Sequence, residues 1–311
     1  MMPPFEYASP ATQADAFRLL ADAGAMPLAG GTDLLSLMKD RIVEPRRLVN
    51  VKGIPELRAI RTGSDGVRIG AAVTLDEIAA HPQVRPYRAV VDAILGIAIP
   101  QVTSQATVGG NLLQRPRCWY FRNGMIPGAD ADLRYHAIFG NTGPAKYVHA
   151  SGLAPALIAF GASALIAGPK GERTIRVDQL WRTPAATGED ERTLQPGEIL
   201  REILLPPHGE RGSATVEIRP QGNAAWPLAA AAVVLDPTGA SVILGHVAPV
   251  PWRSAAAERA IAGKTIDVAV AAAAGAAAVA DAKPLSGNAY KVRLAAAAVR
   301  RAVLAAAGKE L

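Results

Sequence analysis

The order of predicted strands and helices along the chain constrains the fold more than any other feature of the sequence. Up to about residue 178, short apolar segments with strand character alternate with helical segments. From about residue 199, four strand-like segments come first and three alanine-rich helical segments follow. Strands and helices that are segregated in this way are typical of α+β domains. Since 311 residues also exceed the usual size of one domain, we expect at least two packed units.

The first unit is predicted to contain a βαβ element. Residues 26–28 form a short apolar strand that leads into Gly30 and Gly31. A helical pattern follows over residues 34–39, and a second strand over residues 48–51. The Gly-Gly pair is therefore expected at a junction between a strand and a helix.

The second unit combines strands with longer apolar helices. Thr74-Leu-Asp-Glu77 is a capping box that predicts the start of a short helix. A strand is also expected at residues 67–70 and a hairpin at residues 164–177. Two helices are expected at residues 87–97 and 153–160. Residues 123–143 are punctuated by Gly and Pro and show little periodicity, which predicts a long irregular loop. Loops of that length are usually functional.

The third unit is predicted to pack an antiparallel sheet against helices. Its strands are expected at residues 199–204, 215–218, 229–235 and 241–244, and its helices at residues 254–262, 267–282 and 289–307. Asp236-Pro-Thr-Gly239 is a turn signal between the last two strands, so these two should form a hairpin.

Two Gly-Gly segments are the most informative local features. In Gly30-Gly31-Thr32 and in Thr107-Val-Gly-Gly-Asn111, exposed backbone N–H groups near a helix start favour an anion. Without Cβ atoms the backbone can approach a phosphate closely, and the flanking hydroxyl and amide side chains can contact it. Each segment alone is also compatible with a plain tight turn. Together they indicate the two phosphates of a dinucleotide.

Several other classes of site are not supported. The sequence contains no G-x-G-x-x-G and no G-x-S-x-G, and its five histidines lack metal-ligand spacing. Residues 115–122 interleave Arg with aromatic side chains, yet the excess of six positive charges is otherwise scattered, so no nucleic-acid surface is expected. Cys118 is the single cysteine and cannot form an internal disulfide or a Cys-rich metal site. We therefore expect no catalytic and no metal-binding residues, and any redox chemistry must use an organic cofactor or a partner.

The sequence also bears on the compartment. The first residues show no basic region followed by an apolar stretch, and the longest apolar run, residues 268–280, is too short to cross a bilayer. We expect a cytoplasmic protein without membrane contact, periplasmic only if it is exported with a partner that carries a signal.

Five segments in order resemble a known family. They are Leu28-Ala-Gly-Gly-Thr-Asp-Leu34, Ala106-Thr-Val-Gly-Gly-Asn-Leu-Leu-Gln114, Pro196-Gly-Glu-Ile-Leu200, Gly245-His-Val-Ala-Pro-Val-Pro-Trp-Arg253 and Pro284-Leu-Ser-Gly-Asn-Ala-Tyr-Lys-Val292. The set resembles the FAD-binding (medium) subunit of the xanthine dehydrogenase, aldehyde oxidoreductase and carbon monoxide dehydrogenase family of molybdenum hydroxylases. Residues 112–122 are typical of the bacterial periplasmic-type aldehyde dehydrogenase flavoproteins.

The resemblance implies an α+β fold with a PCMH-type FAD-binding domain of two subdomains, followed by a smaller α+β domain of antiparallel sheet and three helices. The FAD-binding domain is expected at residues 1–178, with subdomains at about 1–58 and 59–178. The smaller C-terminal domain is expected at residues 179–311. It implies FAD as cofactor. The implied contacts of the FAD pyrophosphate are Leu28, Ala29, Gly30, Gly31, Thr32, Asp33, Leu34, Thr107, Gly109, Gly110 and Asn111, with Ile97 and Leu200 near the flavin ring.

The family also implies a function and partners. A large molybdopterin-binding subunit oxidises the substrate, a small subunit with two [2Fe–2S] clusters relays the electrons, and the flavin passes them to an acceptor. This chain is therefore expected to be an oxidoreductase subunit that transfers electrons and contains no substrate site of its own. The substrate and the acceptor stay open.

The chain departs from the family pattern at several positions. Gly152 stands where the family often has Asp after Ser151, so a carboxylate near the flavin is lost. Glu217 aligns with a family lysine, which reverses a charge near the ring and should disfavour an anionic reduced flavin. Thr103-Ser104 replaces the usual Arg-Asn. Relatives in the subgroup hold a [4Fe–4S] cluster with four cysteines, and with Cys118 alone we expect none here. These departures leave a second interpretation open, a structural subunit of the same complex with weakened or lost FAD binding.

Overall fold

The computed structural model describes residues 2–125, 131–186, 189–220, 225–237 and 239–310. The strands are β1 (Glu6–Ala8), β2 (Ala25–Leu28), β3 (Arg47–Asn50), β4 (Ile60–Gly63), β5 (Gly66–Gly70), β6 (Ser163–Gly168), β7 (Gly171–Arg176), β8 (Ile199–Leu205), β9 (Gly212–Ile218), β10 (Ala229–Asp236), β11 (Gly239–Gly245) and β12 (Trp252–Arg253). The α-helices are α1 (Gln13–Leu20), α2 (Leu34–Lys39), α3 (Leu75–Ala80), α4 (Arg88–Leu95), α5 (Pro100–Thr103), α6 (Val108–Leu112), α7 (Trp119–Arg122), α8 (Leu153–Ala159), α9 (Ala255–Ile261), α10 (Val268–Ala278) and α11 (Tyr290–Ala306). Short 3₁₀ turns occupy Pro55–Leu57 and Val177–Leu180.

The first unit is a parallel three-stranded sheet in the order β1-β3-β2. Thr12 caps α1 by accepting a hydrogen bond from the backbone N–H of Asp15, which satisfies one free donor of the first turn. Ala16 of α1 and Val49 of β3 are fully buried in a small core that also takes in Ile199 of β8. The predicted βαβ element is confirmed. Strand β1 is missing from the prediction, because three mostly exposed residues carry no periodic signal.

The second unit is a five-stranded antiparallel sheet in the order β4-β5-β8-β6-β7. The predicted hairpin pairs β6 with β7, and the predicted capping box at Thr74 and Glu77 makes both of its reciprocal hydrogen bonds. Helix α8 is buried along its whole length. These elements enclose the largest hydrophobic cluster of the described residues, which also takes in Ala232, Val234 and Ile243 from β10 and β11.

Strand β8 corrects the predicted domain division. Residues 199–204 were expected among the C-terminal strands, yet Ile203 of β8 pairs with Ile69 of β5 on one side and Ala164 of β6 on the other. The boundary predicted at 178/179 is therefore wrong, since it would remove the central strand from the second sheet. Apolar residues on both faces suit a central strand, but they do not tell which sheet it enters.

The third unit is an antiparallel sheet in the order β12-β11-β10-β9, packed against α9, α10 and α11. The predicted hairpin of β10 and β11 is confirmed, and Thr238 of its turn lies outside the described residues. Small side chains allow close helix contact here: a Cβ at Gly275 of α10 would lie 3.3 Å from the carbonyl carbon of Ala296 in α11. The predicted α+β architecture, with an antiparallel sheet and three helices at the C-terminus, is confirmed.

The α-helices of the described residues are between four and seventeen residues long. Each is too short or too polar to cross a bilayer.

Candidate functional site

The loop between β2 and α2 presents a row of free backbone donors. Within the described part of the chain, no group accepts a hydrogen bond from the backbone N–H of Gly30, Gly31, Thr32 or Asp33. Gly31 has φ of +71°, a left-handed conformation that glycine adopts without strain, and Thr32 is exposed. Consecutive free N–H groups at such a turn form a concave site for an anion. Such a row of donors suits a phosphate in its hydrogen-bonding chemistry.

The side chain of Asp33 is engaged by the protein itself, while its backbone N–H belongs to the row of free donors described above. Its carboxylate accepts a hydrogen bond from the backbone N–H of Arg115 at 2.8 Å, and it pairs with the guanidinium groups of Arg122 at 2.7 Å and Arg117 at 3.1 Å. The side chain thus ties the first loop to residues 115–122 and is committed to three partners. Residues 115–122 interleave Arg and aromatic side chains because these arginines anchor a loop.

The second Gly-Gly segment is built differently, and one expectation for it is wrong. Thr107 caps α6, and its side-chain oxygen accepts a hydrogen bond from the N–H of Gly110 at 3.1 Å. The N–H of Gly109 donates to the carbonyl of Ala71 at 2.9 Å. The two backbone donors expected to be exposed are therefore used inside the protein. What this segment presents outward is the exposed Gly110 and the half-buried Asn111.

The two Gly-Gly segments lie side by side. A Cβ on Gly30 would overlap the carbonyl oxygen of Gln105, two residues before the second segment, and would lie 3.0 Å from the Cα of Ala106. Lys52 donates from Nζ to the side-chain oxygen of Gln105 at 3.1 Å. Glycine at position 30 is thus needed for contact between the loops, and the structure brings together both segments that the sequence singled out.

The other predicted contacts are distributed around this pair of loops. Leu28 ends β2, Ala29 leads into the loop, and Leu34 opens α2, all partly buried. Ile97, just after α4, packs against the large hydrophobic cluster of which Leu200 in β8 is a buried member. Both residues therefore belong to the second unit, while the first loop belongs to the first.

Asn111 is held by a chain of hydrogen bonds that the sequence analysis did not find. The hydroxyl of Ser151 donates to the side-chain oxygen of Asn111 at 2.6 Å and accepts from the N–H of Ala154 at 3.0 Å, which starts α8. The N–H of Ser151 donates to Nδ1 of His149 at 3.1 Å. Burial lowers the pKa of His149 to about 3, so the imidazole is neutral and Nδ1 stays available as the acceptor.

A cavity of about 300 Å³ lies where the second and third units meet. It is lined by Asp92, Leu95, Gly96, Ala98, Thr215, Glu217 and Arg219. Burial raises the pKa of Glu217, and the guanidinium of Arg219 beside it opposes that rise. Glu217 was predicted from the sequence to matter here, whereas Gly96 and Arg219 carry no sequence signal because their place in the cavity depends on contacts between distant segments.

Cys118 lies in the loop that Asp33 anchors. Its Sγ is 3.2 Å from Nε2 of His136, and burial raises the pKa of the thiol while it lowers that of the imidazole. Both shifts favour the neutral pair, so the thiolate that nucleophilic chemistry needs is disfavoured. The described residues contain no group of three or more His, Cys, Asp or Glu side chains suited to a metal ion.

Comparison with known proteins gives two family matches that together span most of the chain. The family model described as the FAD binding domain in molybdopterin dehydrogenase matches residues 3–208. The CO dehydrogenase flavoprotein C-terminal domain matches residues 217–306.

Individual relatives agree with these matches. The chain is 36% identical over 249 residues to the aldehyde oxidoreductase FAD-binding subunit PaoB of Escherichia coli (strain K12), which covers 76% of this chain and 78% of that protein. It is 30% identical to the carbon monoxide dehydrogenase medium chain of Hydrogenophaga pseudoflava, over 98% of each. A solved structure of carbon monoxide dehydrogenase from that organism, lacking the Mo-pyranopterin moiety of the molybdenum cofactor, contains a chain with a TM-score of 0.78 and 98% coverage of both chains.

Proposed function

The chain belongs to the family of FAD-binding subunits of molybdopterin dehydrogenases, and from that premise we propose that it is the electron outlet of its complex. FAD is the cofactor of this family, and its members are subunits of oxidoreductases. The proposed role is to receive electrons from partner [2Fe–2S] clusters and to pass them to an external acceptor. The observation that carries it is the row of free N–H groups from Gly30 to Asp33.

These residues fit the pyrophosphate of FAD in charge and in shape. The N–H groups of Gly30, Gly31, Thr32 and Asp33 can donate to phosphate oxygens, and hydrogen bonds to a charged group contribute about 1.5–3 kcal/mol each. Thr32 is exposed beside them and can add its hydroxyl. When bound, the flavin would supply the exchange between one-electron carriers and the acceptor.

The protein's own contribution is to hold the loops. Asp33 fixes the first loop through Arg117 and Arg122, while Ser151 and the neutral His149 hold Asn111 of the second. Because these anchors are mostly buried, both loops are preorganised for binding.

We propose as partners a large molybdopterin-binding subunit and a small [2Fe–2S] subunit. This rests on relatives whose names describe medium chains and FAD-binding subunits, since a medium chain implies a larger and a smaller one. Residues 115–122 are the one segment whose arginines and aromatic side chains suggested nucleic-acid binding. Their arginines form ion pairs with Asp33 and Glu191, so they do not support that function.

The second candidate function is a structural subunit with weakened FAD binding. Gly152 and Glu217 favour it, since both depart from the family pattern around the flavin. The two candidates predict opposite results when the chain is assembled with the proposed large and small subunits.

The test uses the assembled complex with the wild-type chain or with Gly31→Val. Chemically reduced [2Fe–2S] subunit should bleach the visible flavin absorbance of the wild-type complex and then reduce a dye acceptor. The Gly31→Val complex should assemble, lack flavin and lose dye reduction. Equal dye reduction by both complexes would contradict the proposed electron outlet and favour the structural role.

A further inference from the structure

Lys52 lies at the same edge of the first sheet as the loop that begins at Gly30. Leu28 at the end of β2 pairs with Asn50 at the end of β3, and the chain leaves both strands at this edge. The backbone N–H of Lys52 donates to the side-chain oxygen of Asn50 at 3.0 Å, and the amide nitrogen of Asn50 donates to the hydroxyl of Tyr7 at 2.9 Å. In open sheets of parallel strands, ligands bind at the carboxyl ends of the strands. The backbone of Lys52 is therefore fixed beside the candidate site.

The ammonium group of Lys52 reaches the point where the two Gly-Gly segments meet. Its Nζ lies 3.1 Å from the side-chain oxygen of Gln105 and 3.5 Å from the carbonyl oxygen of the same residue. That carbonyl oxygen is the atom that a Cβ on Gly30 would overlap. Gly30 is the first residue of the donor row, the free N–H groups of residues 30–33. The ammonium and the start of the donor row thus pack against one carbonyl group.

The charge of this ammonium is not neutralised by the protein. Within the described ranges, no carboxylate forms an ion pair with Lys52, and the partners of its Nζ are the two neutral oxygens of Gln105. The carboxylate of Asp33, at the other end of the donor row, is paired with Arg117 and Arg122. An ammonium has three donors and no acceptor. Lys52 therefore keeps a donor and a positive charge for a further group beside the donor row.

We propose that Lys52 is a further anion-binding residue of the candidate site, whose ammonium pairs with the phosphate that the donor row binds. The inference rests on the proposed function, since the phosphate in question is the pyrophosphate of FAD. Lysine binds phosphate as a point charge, whereas the donor row supplies directed hydrogen bonds from uncharged groups. Gln105 is a positioning residue, because its two oxygens hold the ammonium next to Gly30.

The test is a titration of the FAD-free chain with FAD, followed by flavin fluorescence, in the wild type, Lys52→Gln and Lys170→Gln. Glutamine removes the charge but can still donate a hydrogen bond to Gln105, so a role limited to that contact would survive. Lys52→Gln should bind FAD about tenfold more weakly, the effect of one lost charged hydrogen bond. Lys170 is exposed in the turn between β6 and β7, so Lys170→Gln removes the same charge from another unit and should bind FAD like the wild type.

The dependence on ionic strength separates a role of the charge from a structural role. Raising KCl from about 50 to about 300 mM should weaken FAD binding less in Lys52→Gln than in the wild type, because salt screens an ion pair that the variant lacks. Wild-type affinity in Lys52→Gln, an equal loss in Lys170→Gln, or weaker binding with the wild-type salt dependence would each overturn the inference. Urea midpoints verify folding. If Lys52→Gln does not fold, Lys52→Met is titrated with the same expectations.

Calorimetry with inorganic pyrophosphate on the FAD-free chain distinguishes this inference from the proposed function. If the wild type and Lys52→Gln bind FAD equally well, the role of Lys52 fails and the proposed function stands. If the wild type takes up no FAD but binds pyrophosphate about tenfold more tightly than Lys52→Gln, the role of Lys52 is supported and the proposed function is contradicted. A folded wild-type chain that binds neither would contradict both.

Discussion

The first and second segments each contain a Gly-Gly pair, but the first pair precedes helix α2 and the second lies within helix α6, and the backbone N–H groups of the two pairs are used differently. At residues 30–31 the backbone N–H groups are free, and Gly31 is in the left-handed region. At residues 109–110 both N–H groups are used, one by the carbonyl of Ala71 and one by the side chain of Thr107. The first segment is a set of donors for a ligand, and the second is a framework that supports it.

The two segments are also anchored by different forces. The first depends on the charges of Asp33, Arg117 and Arg122. The second depends on neutral hydrogen bonds that end at the buried His149. A Gly-Gly pair in a sequence therefore indicates that some group comes close to the backbone at that point. Only the hydrogen-bond partners of the two N–H groups show whether that group is a ligand or another part of the protein.

The largest expected effect separates ligand binding from backbone strain. Gly31→Val should weaken FAD binding by about 100-fold or more, because its side chain and the strained loop would cost at least two charged hydrogen bonds. Gly161→Val is the matched control, since Gly161 has φ of +74° with open space around it. Both variants should lose stability in urea, Gly31→Val more so because its Cβ would lie 3.1 Å from Cδ1 of Leu35, and only Gly31→Val should lose FAD in a fluorescence titration. Unchanged flavin content in folded Gly31→Val would refute the placement of the pyrophosphate.

A pair of alanine substitutions tests the framework role of the second segment. A Cβ at Gly109 would lie 2.9 Å from the carbonyl oxygen of Ala71, so Gly109→Ala should lower the unfolding free energy by about 1–3 kcal/mol. Gly110 is exposed and within α6, and a Cβ there would meet only Oγ1 of Thr107, at 3.1 Å, so Gly110→Ala should change stability by less than about 1 kcal/mol. Urea midpoints measure both. Equal destabilisation by the two changes would contradict this difference between a packed Gly109 and an exposed Gly110.

The charged anchor of the first segment gives a smaller effect. Asp33→Asn leaves Arg117 and Arg122 without their carboxylate, and we expect about tenfold weaker FAD binding with a stability loss of about 1–2 kcal/mol. Asp15→Asn removes an exposed ion pair with Arg18 and should change neither quantity measurably. Titration of both variants with FAD tests this. If Asp33→Asn binds FAD like the wild type, the first loop does not need its charged anchor.

The neutral anchor of the second segment predicts a dependence on pH. The pKa of His149 in the folded chain is about 3, below its ordinary value of about 6.5, so its contribution is complete above pH 6.5 and is lost as the pH falls toward 3. Protonation at Nδ1 would also remove the acceptor of the Ser151 N–H. His246 behaves in the same direction, because burial lowers its pKa to about 3.

Urea unfolding between pH 7.5 and 5 measures this dependence. Each histidine contributes at most about 1.4 kcal/mol per pH unit. His149→Gln keeps an acceptor for Ser151 and does not titrate, so its stability should fall less on acidification than that of the wild type. An identical pH dependence in both proteins would mean that His149 is not held neutral by the fold.

Much of the fold could be predicted from local signals. The cap at Thr12, the capping box at Thr74 and the hairpin of residues 163–176 each depend on residues a few positions apart. The membership of β8 in the second sheet could not be predicted from the sequence, because a strand that is apolar on both faces suits the central position of any sheet. Pairing partners more than thirty residues away decide it.

The candidate site, like the fold, could be predicted from the sequence only in part. Both Gly-Gly segments and the FAD family followed from ordered motifs, whereas the use of the Gly109 and Gly110 donors followed only from their neighbours in space. The partners of Asp33 lie more than eighty residues away in sequence.

The central claim is that the free donors of Gly30 to Asp33 hold FAD, and the flavin absorbance of the purified wild-type chain tests it most directly. The chain should be yellow and contain one FAD per polypeptide, with Gly161→Val equally yellow and Gly31→Val colourless but folded. A colourless wild-type chain that stays folded, takes up no added FAD and still assembles with the large and small subunits would contradict the account.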